Sequence, residues 1–427
     1  MKSKHLLPAL ILLPLAAPAL AQDSNPYLFG GWNGERQALA DKGVEFNFGY
    51  TSEDYRNVGS GGRSVGAHAG QLTLSSKFDL EKLWGLPGAE VHLDVSYRDG
   101  DDLRSRGVDT LMQPQEVYGR DQTWRLTGLW WGQHLFDDHL FLKLGRLTVG
   151  GEFGDVECTF VNQGLCGTEA GNINGDYWYN WPISQWAAVG QVQFDATHYL
   201  KLGVYQVNPA LLERGHKFTL NPSGTTGSLF PVELGWTPKF AGDLPGAYKV
   251  GAWYSNIDKA DVFTDVNGDP SALSGLNARM RDGVYGGYFT FEQQLTRGHQ
   301  NSARSGLRTF VNATVSDRRT STIDRTLAVG AIYAGLFASR PTDEIGVGAS
   351  ALHVNEREKS YQALLYQQGL STLPADGSEY TAELFYGWQA TGWLRFQPEV
   401  QWIFHAGNGA ANLDNYTIVG VKTSINF

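Results

Sequence analysis

Val91-His-Leu-Asp-Val-Ser-Tyr-Arg98 alternates without a break. In an extended chain successive side chains point to opposite faces, so Val91, Leu93, Val95 and Tyr97 share one side and His92, Asp94, Ser96 and Arg98 the other. One side is greasy and the other is wet. Upstream, Val44, Phe46, Phe48 and Tyr50 oppose Glu45, Asn47, Gly49 and Thr51, while Leu72, Leu74 and Phe78 oppose Gln71, Thr73, Ser75 and Lys77. The pattern returns over residues 123–133, 140–146, 187–194, 199–206, 232–238, 248–255, 284–296, 307–315, 326–337, 345–355, 379–391, 394–404 and 416–427. The total is sixteen segments, an even number.

The connections are sorted by parity. Short ones (136–139, 195–198, 339–344, 391–393) alternate with long ones (52–70, 99–122, 147–186, 207–231, 256–283, 356–378). An up-and-down barrel with tight turns at one rim and long loops at the other produces that order; a soluble sandwich has no reason to. The greasy face carries Tyr97, Trp124, Trp236, Tyr254, Tyr386, Trp388 and Trp402 near strand ends, as a membrane interface selects. The other face carries charge in nearly every strand, including Glu45, Lys77, Glu233, Lys249, Glu292, Arg308, Glu383, Arg395 and Glu399. Charges facing inward in such number call for water inside. The fold expected is an all-β, sixteen-stranded antiparallel transmembrane barrel. Its final strand ends on Phe427, with Val419, Val421 and Ile425 on the same face.

Lys2, Lys4, the apolar run from Leu6 to Leu20 and Ala19-Leu-Ala21 read as a secretory leader over residues 1–21. Residues 22–43 precede the first strand as a periplasmic segment with one short helix, capped by Asn33 and ended by Gly43; residues 44–427 form the barrel. No later stretch reaches the roughly 20 apolar residues of a spanning helix. The net charge is −10, and −12 without Lys2 and Lys4, which argues against nucleic acid as a partner. Cys158 and Cys166 are the only cysteines and in an oxidising compartment close one small loop. A metal pair is the rival reading, but no His or further Cys stands nearby to complete a site. Asp265-Val-Asn-Gly-Asp-Pro270 has the opening of a calcium loop, yet Pro270 stands where that loop needs glycine; a solvated turn fits better. No metal or other cofactor is called for.

Trp32-Asn-Gly-Glu-Arg36, Gln115-Glu-Val-Tyr-Gly-Arg120, Gln122-Thr-Trp-Arg-Leu-Thr127, Trp178-Tyr-Asn-Trp-Pro-Ile-Ser-Gln-Trp186, Pro231-Val-Glu-Leu234 and Asp265-Val-Asn-Gly268 together resemble the carbohydrate-selective porins of the OprB family. The resemblance covers nearly all of the chain after the leader. It implies a sixteen-stranded outer-membrane channel for glucose and related sugars, narrowed by arginines and a glutamate. Those groups fall on Arg98, Glu116 and Arg120.

The residues themselves suit that chemistry. Sugars are neutral and covered in hydroxyls, so a filter needs multi-donor groups and carboxylate acceptors with little net charge; Arg offers five donors and Glu several acceptor sites. Alternation puts Arg98 on the wet face beside Asp94, and Arg125 on the wet face of the next strand. Glu116 and Arg120 lie in the loop between, free to fold inward, either as filter or as an ion pair bracing the loop. Trp253 and Trp131 have wet-face parity and could stack sugars, Trp130 lipid-face parity. The partners expected are sugar solutes and outer-membrane lipid, with monomer and homotrimer both open. Rival functions are a general or anion-selective porin, an outer-membrane hydrolase around the outward-facing His353, and a soluble lectin or glycosidase using Glu116 and Glu233.

Overall fold

The computed structural model describes residues 25–59, 64–240, 243–298, 305–371, 377–407 and 415–427. The expected leader, residues 1–21, lies outside the described residues. Sixteen antiparallel strands make the wall: β1 Val44–Asn57, β2 Gly66–Asp79, β3 Ala89–Gly100, β4 Trp124–Leu135, β5 Leu140–Leu147, β6 Gln185–Gln193, β7 His198–Val207, β8 Gly227–Trp236, β9 Leu244–Asp265, β10 Ala278–Gln294, β11 Gly306–Ser316, β12 Ile323–Ala334, β13 Glu344–Val354, β14 Ser378–Gln389, β15 Leu394–Phe404 and β16 Tyr416–Asn426. Lys239 and Phe240 add a two-residue ladder at the β8–β9 turn. Each strand pairs with its chain neighbours, and β16 returns to β1 with Asn426 opposite Gly49 and Ile418 opposite Asn57. Closure leaves no unpaired edge. No helix among the described residues is long and apolar enough to cross a membrane; the strands do so instead.

Alternation decides inside from outside. Glu233 is 1% exposed while its neighbour Leu234 is 50% exposed, which puts the apolar face outward, toward lipid. One strand departs from the expected parity. Asp94 pairs with Gly128 and Val95 with Leu126, so Thr127 is an extra residue in β4. This β-bulge shifts the alternation by one. Trp130 therefore faces the lumen, stacked 3.9 Å from His92 with Lys143 Nζ 4.4 Å above it, and Trp131 faces outward. Both are the reverse of the parity reading.

The strands outrun the sequence boundaries at the long-loop end. Residues 256–265 and 278–283, expected as loop, continue β9 and β10 as a tall hairpin, and the 356–378 connection contains the helix Glu356–Gln367. At the other rim the helix Glu35–Asp41 is capped by Gly34, not Asn33, which itself takes a left-handed φ of 57°. Gly43 (φ +94°) makes the turn into β1, where an added Cβ would lie 2.9 Å from the Asp79 carbonyl oxygen. Arg36 Nη2 donates to the Phe427 carbonyl at 2.7 Å, and the Phe29 ring stacks on the Phe427 ring at 5.6 Å. The segment before the barrel thus seals the seam where the last strand meets the first.

The lumen is not simply water-filled. Residues 148–184 fold inward, burying Val149, Phe153, Tyr177 and Trp178 against Tyr205, Leu229, Val284 and Tyr288 of the wall. Phe160 and Leu165 of the same loop pack on Ala328, Ile332 and Phe385. Each such side chain contributes about 1.5–3 kcal/mol by leaving water.

Candidate solute constriction

Buried wall carboxylates hold the inner loops. Glu383 accepts from Val161 N at 2.9 Å and Asn162 N at 3.0 Å. Glu379 accepts from Leu111 N at 2.7 Å and Met112 N at 3.1 Å, and Glu53 from Val117 N at 3.2 Å. Glu233 takes Gly154 N and the hydroxyls of Tyr199 and Tyr288, all at 2.8 Å. Charge-assisted bonds of this kind are worth about 1.5–3 kcal/mol each. Several inward carboxylates that alternation reads as wet are therefore dry anchors. Charge on the inner face reflects loop attachment as well as hydration, and Glu233 is unavailable as a glycosidase acid or base.

Between loop 101–123, loop 148–184 and the wall a cavity of about 720 Å³ remains. Arg98, Glu116 and Arg120 all line it. Arg98 is held from two sides: Nε donates to Gln71 Oε1 at 2.7 Å and Nη1 to the Tyr118 carbonyl at 2.8 Å. Arg120 takes a left-handed φ of 64° and donates from Nη2 to the Gly175 carbonyl at 3.1 Å, tying one loop to the other. Burial lowers its pKa, while Tyr179, Asp176 and Asp121 oppose the shift. Glu116 Oε1 pairs with Lys422 Nζ of β16 at 3.5 Å rather than with Arg120. Arg104 and Asp155 add one charge of each sign to the lining, and Gln71 and Trp181 add neutral polar and aromatic surface.

Three expected site residues sit elsewhere. Arg125 faces inward but is 2% exposed and fully engaged: Nη1 donates to the Leu211 carbonyl at 3.0 Å, and Nη2 to those of Leu212 and Arg120 at 2.9 Å. It clamps two loops together and does not line the cavity. Asp94 also points inward but lies outside the cavity lining, facing Gly128 across the bulge. Trp253 is 3% exposed, donates from Nε1 to Tyr177 Oη at 3.1 Å and packs against Trp178, so its faces are covered. Cys158 and Cys166 are bonded to each other at the cavity rim, which removes them as metal ligands. His353 pairs with Asp324 at 2.6 Å, and Asp265 accepts from Asn267 N and Asp269 N at 2.9 Å, making a turn.

Lys422, Gln71 and Trp181 were missed. The first two were legible: Lys422 opposes Val421 and Gln71 opposes Leu72, each on the inner side of its strand. Trp181 lies in an aperiodic loop and carries no such signal.

A sequence model of the Carbohydrate-selective porin, OprB family matches residues 64–427. Porin B of Pseudomonas aeruginosa is 38% identical over 422 residues, covering 95% of this chain and 92% of its own. Putative porin QuiX of Acinetobacter baylyi is 32% identical over 436 residues, covering 97% and 96%. The high-pH structure of Pseudomonas putida OprB superposes with a TM-score of 0.91 at 35% identity, covering 95% of this chain and 99% of that one. Sixteen closed strands, a lipid-facing apolar surface and inward loops around a polar gap accord with those likenesses: the chain belongs to the carbohydrate-selective porin (OprB) family, bacterial outer-membrane channels rather than enzymes.

Proposed function

We propose that this porin passes glucose-sized sugars by diffusion, selecting them at a gap formed by Arg98, Glu116 and Arg120. The supporting observation is that these three groups, from one wall strand and one loop, converge on a single cavity of about 720 Å³ whose other lining residues, Arg104 and Asp155 apart, are neutral. Donors fixed by Gln71, Tyr118 and Gly175 face an acceptor fixed by Lys422, so a hydroxylated solute can exchange water for protein hydrogen bonds in passing. Binding must stay weak and multi-site for the solute to leave. The same reading places the short-turn rim and the helical segment 22–43 on the periplasmic side. Liposome swelling with the purified protein tests it: glucose should enter several-fold faster than a disaccharide, and equal rates would refute it.

A second reading has a specific observation behind it. Arg98, Arg104 and Arg120 outnumber Glu116 and Asp155 around the cavity, which favours anions. A zero-current potential set by chloride together with no sugar preference would establish a general anion pore instead.

A further inference from the structure

We infer that Arg318 and Arg325, on the outer face of the barrel at its long-loop rim, form a binding site for the phosphate of a glycolipid in the surrounding membrane. The inference rests on the placement above of the short-turn rim toward the periplasm, and not on the solute reading. Arg325 belongs to the lipid-facing row: it pairs with Val315 and stands two residues above Leu327, both well exposed on that face. The turn from β11 to β12, residues 317–322, is the shortest connection at its rim. Here the wall ends close to the apolar band, where lipid headgroups begin. Arg319 of the same turn lies 5.4 Å over the ring of Tyr285, itself outward and 52% exposed.

A buried carboxylate holds the two arginines together. Asp324 is the extra residue of a β-bulge between Ile323 and Arg325. Its carboxylate stands 3.1 Å from Arg318 Nε and 3.7 Å from Arg325 Nε. Arg325 Nη2 donates to His353 Nε2 at 3.0 Å, which leaves the ring proton on Nδ1, 2.6 Å from Asp324. The Asp324 side chain is 1% exposed, whereas those of Arg318 and Arg325 are 61% and 58% exposed. An arriving group therefore meets donors and not the acid. Arg319 and Lys359 are matched by Asp317 and Glu356, so the two arginines against Asp324 leave one positive charge. Among the described residues, both terminal nitrogens of Arg318 and Nη1 of Arg325 have no partner. Two guanidiniums side by side, with spare donors, suit a phosphate, which accepts several charge-assisted hydrogen bonds at once. The outward leaflet of a bacterial outer membrane is built of phosphorylated glycolipid. Acyl chains of such a molecule would run down Val315, Leu327 and Val329 while its phosphate reached the arginines.

The test is native mass spectrometry of the detergent-solubilised protein with three probes: a bisphosphorylated diglucosamine lipid, the same lipid stripped of phosphate, and inorganic phosphate. The double variant Arg318→Gln, Arg325→Gln should hold the bisphosphorylated lipid about fivefold or more weakly than the wild type, and the double lysine variant should keep most of the affinity. Equal affinity in the wild type and the glutamine variant would overturn the inference. So would equal retention of the stripped lipid, which would mean acyl contacts alone, or ready displacement by inorganic phosphate, which would mean a free-anion site. A lysine variant as weak as the glutamine variant, with both still heat-modifiable barrels, would also count against a charge-based site. Thr322→Cys, exposed in the same turn, should react with an impermeant maleimide on whole cells. Failure to react would remove the orientation of the barrel, and this inference with it.

Discussion

Glu116 Oε1 and Lys422 Nζ stand 3.5 Å apart, joining the constriction loop to the last strand of the barrel. Lys422 also lies 3.9 Å from Glu53, whose carboxylate holds the Val117 amide of the same loop. The acceptor of the proposed filter and one anchor of its loop thus share a cation. Glu116→Gln leaves Lys422 and the lining arginines less compensated, so the pore should move toward anions by a few-fold in permeability ratio. The zero-current potential in a salt gradient measures this; an unaltered potential would mean that Glu116 does not act on the conducting path.

Glu383 is buried and ties down residues 161 and 162, far from both chain ends of their loop. Replacing it by Ala strands two backbone donors, at about 1–3 kcal/mol for each that stays buried. The barrel should survive, since its ladder is untouched, but the loop should loosen. Larger and noisier single-channel conductance is expected for Glu383→Ala, and a smaller change in the same direction for Glu383→Gln, which keeps one acceptor oxygen for two backbone donors.

The helix Glu169–Ile173 of the inner loop carries a pH dependence. Glu169 is 4% exposed, neither carboxylate oxygen completes a hydrogen bond, and the Thr326 hydroxyl only leans toward it. Burial raises its pKa well above the usual carboxylate range. The unfolded loop releases this proton near pH 4, while the packed loop keeps it to higher pH. The packed form binds more protons, so its stability falls as pH rises from about 4 through the raised value and stays low above it. Channel recordings should be quieter at pH 5 than at pH 8, and Glu169→Gln should be equally quiet at both.

Arg36 caps the seam. Its bond to Phe427 and its position 3.5 Å over the Tyr27 ring add a charged grip on the end of the last strand to the stacking of Phe29 on Phe427. Arg36→Ala should slow refolding into lipid vesicles and lower the temperature at which the heat-modifiable band is lost. Conductance of the molecules that do fold should be unchanged.

The wall was readable because period-two alternation survives wherever one face meets lipid and the other does not. It failed at Thr127, where one inserted residue swapped Trp130 and Trp131 without any compositional mark. The helix Glu356–Gln367 was missed because its apolar residues do not gather on one side. Parity puts Arg98 on the inner side and the family resemblance singles it out, since parity alone could not separate it from Arg125. Both point inward, but the carbonyls of Leu211 and Leu212 that enclose Arg125 come from a connection more than eighty residues away. Trp253 failed for the same reason: its side was read correctly, and the loop residues Tyr177 and Trp178 that cover it were not. Glu116 and Arg120 came from the family resemblance, since residues in an aperiodic loop have no face to read.

Selection by arginine is the centre of the account, and liposome swelling with Arg98→Ala and Arg120→Ala tests it most directly. Each variant should admit a disaccharide markedly faster, bringing its rate within about twofold of the glucose rate. A glucose-to-disaccharide ratio identical to the wild type in both variants would contradict it.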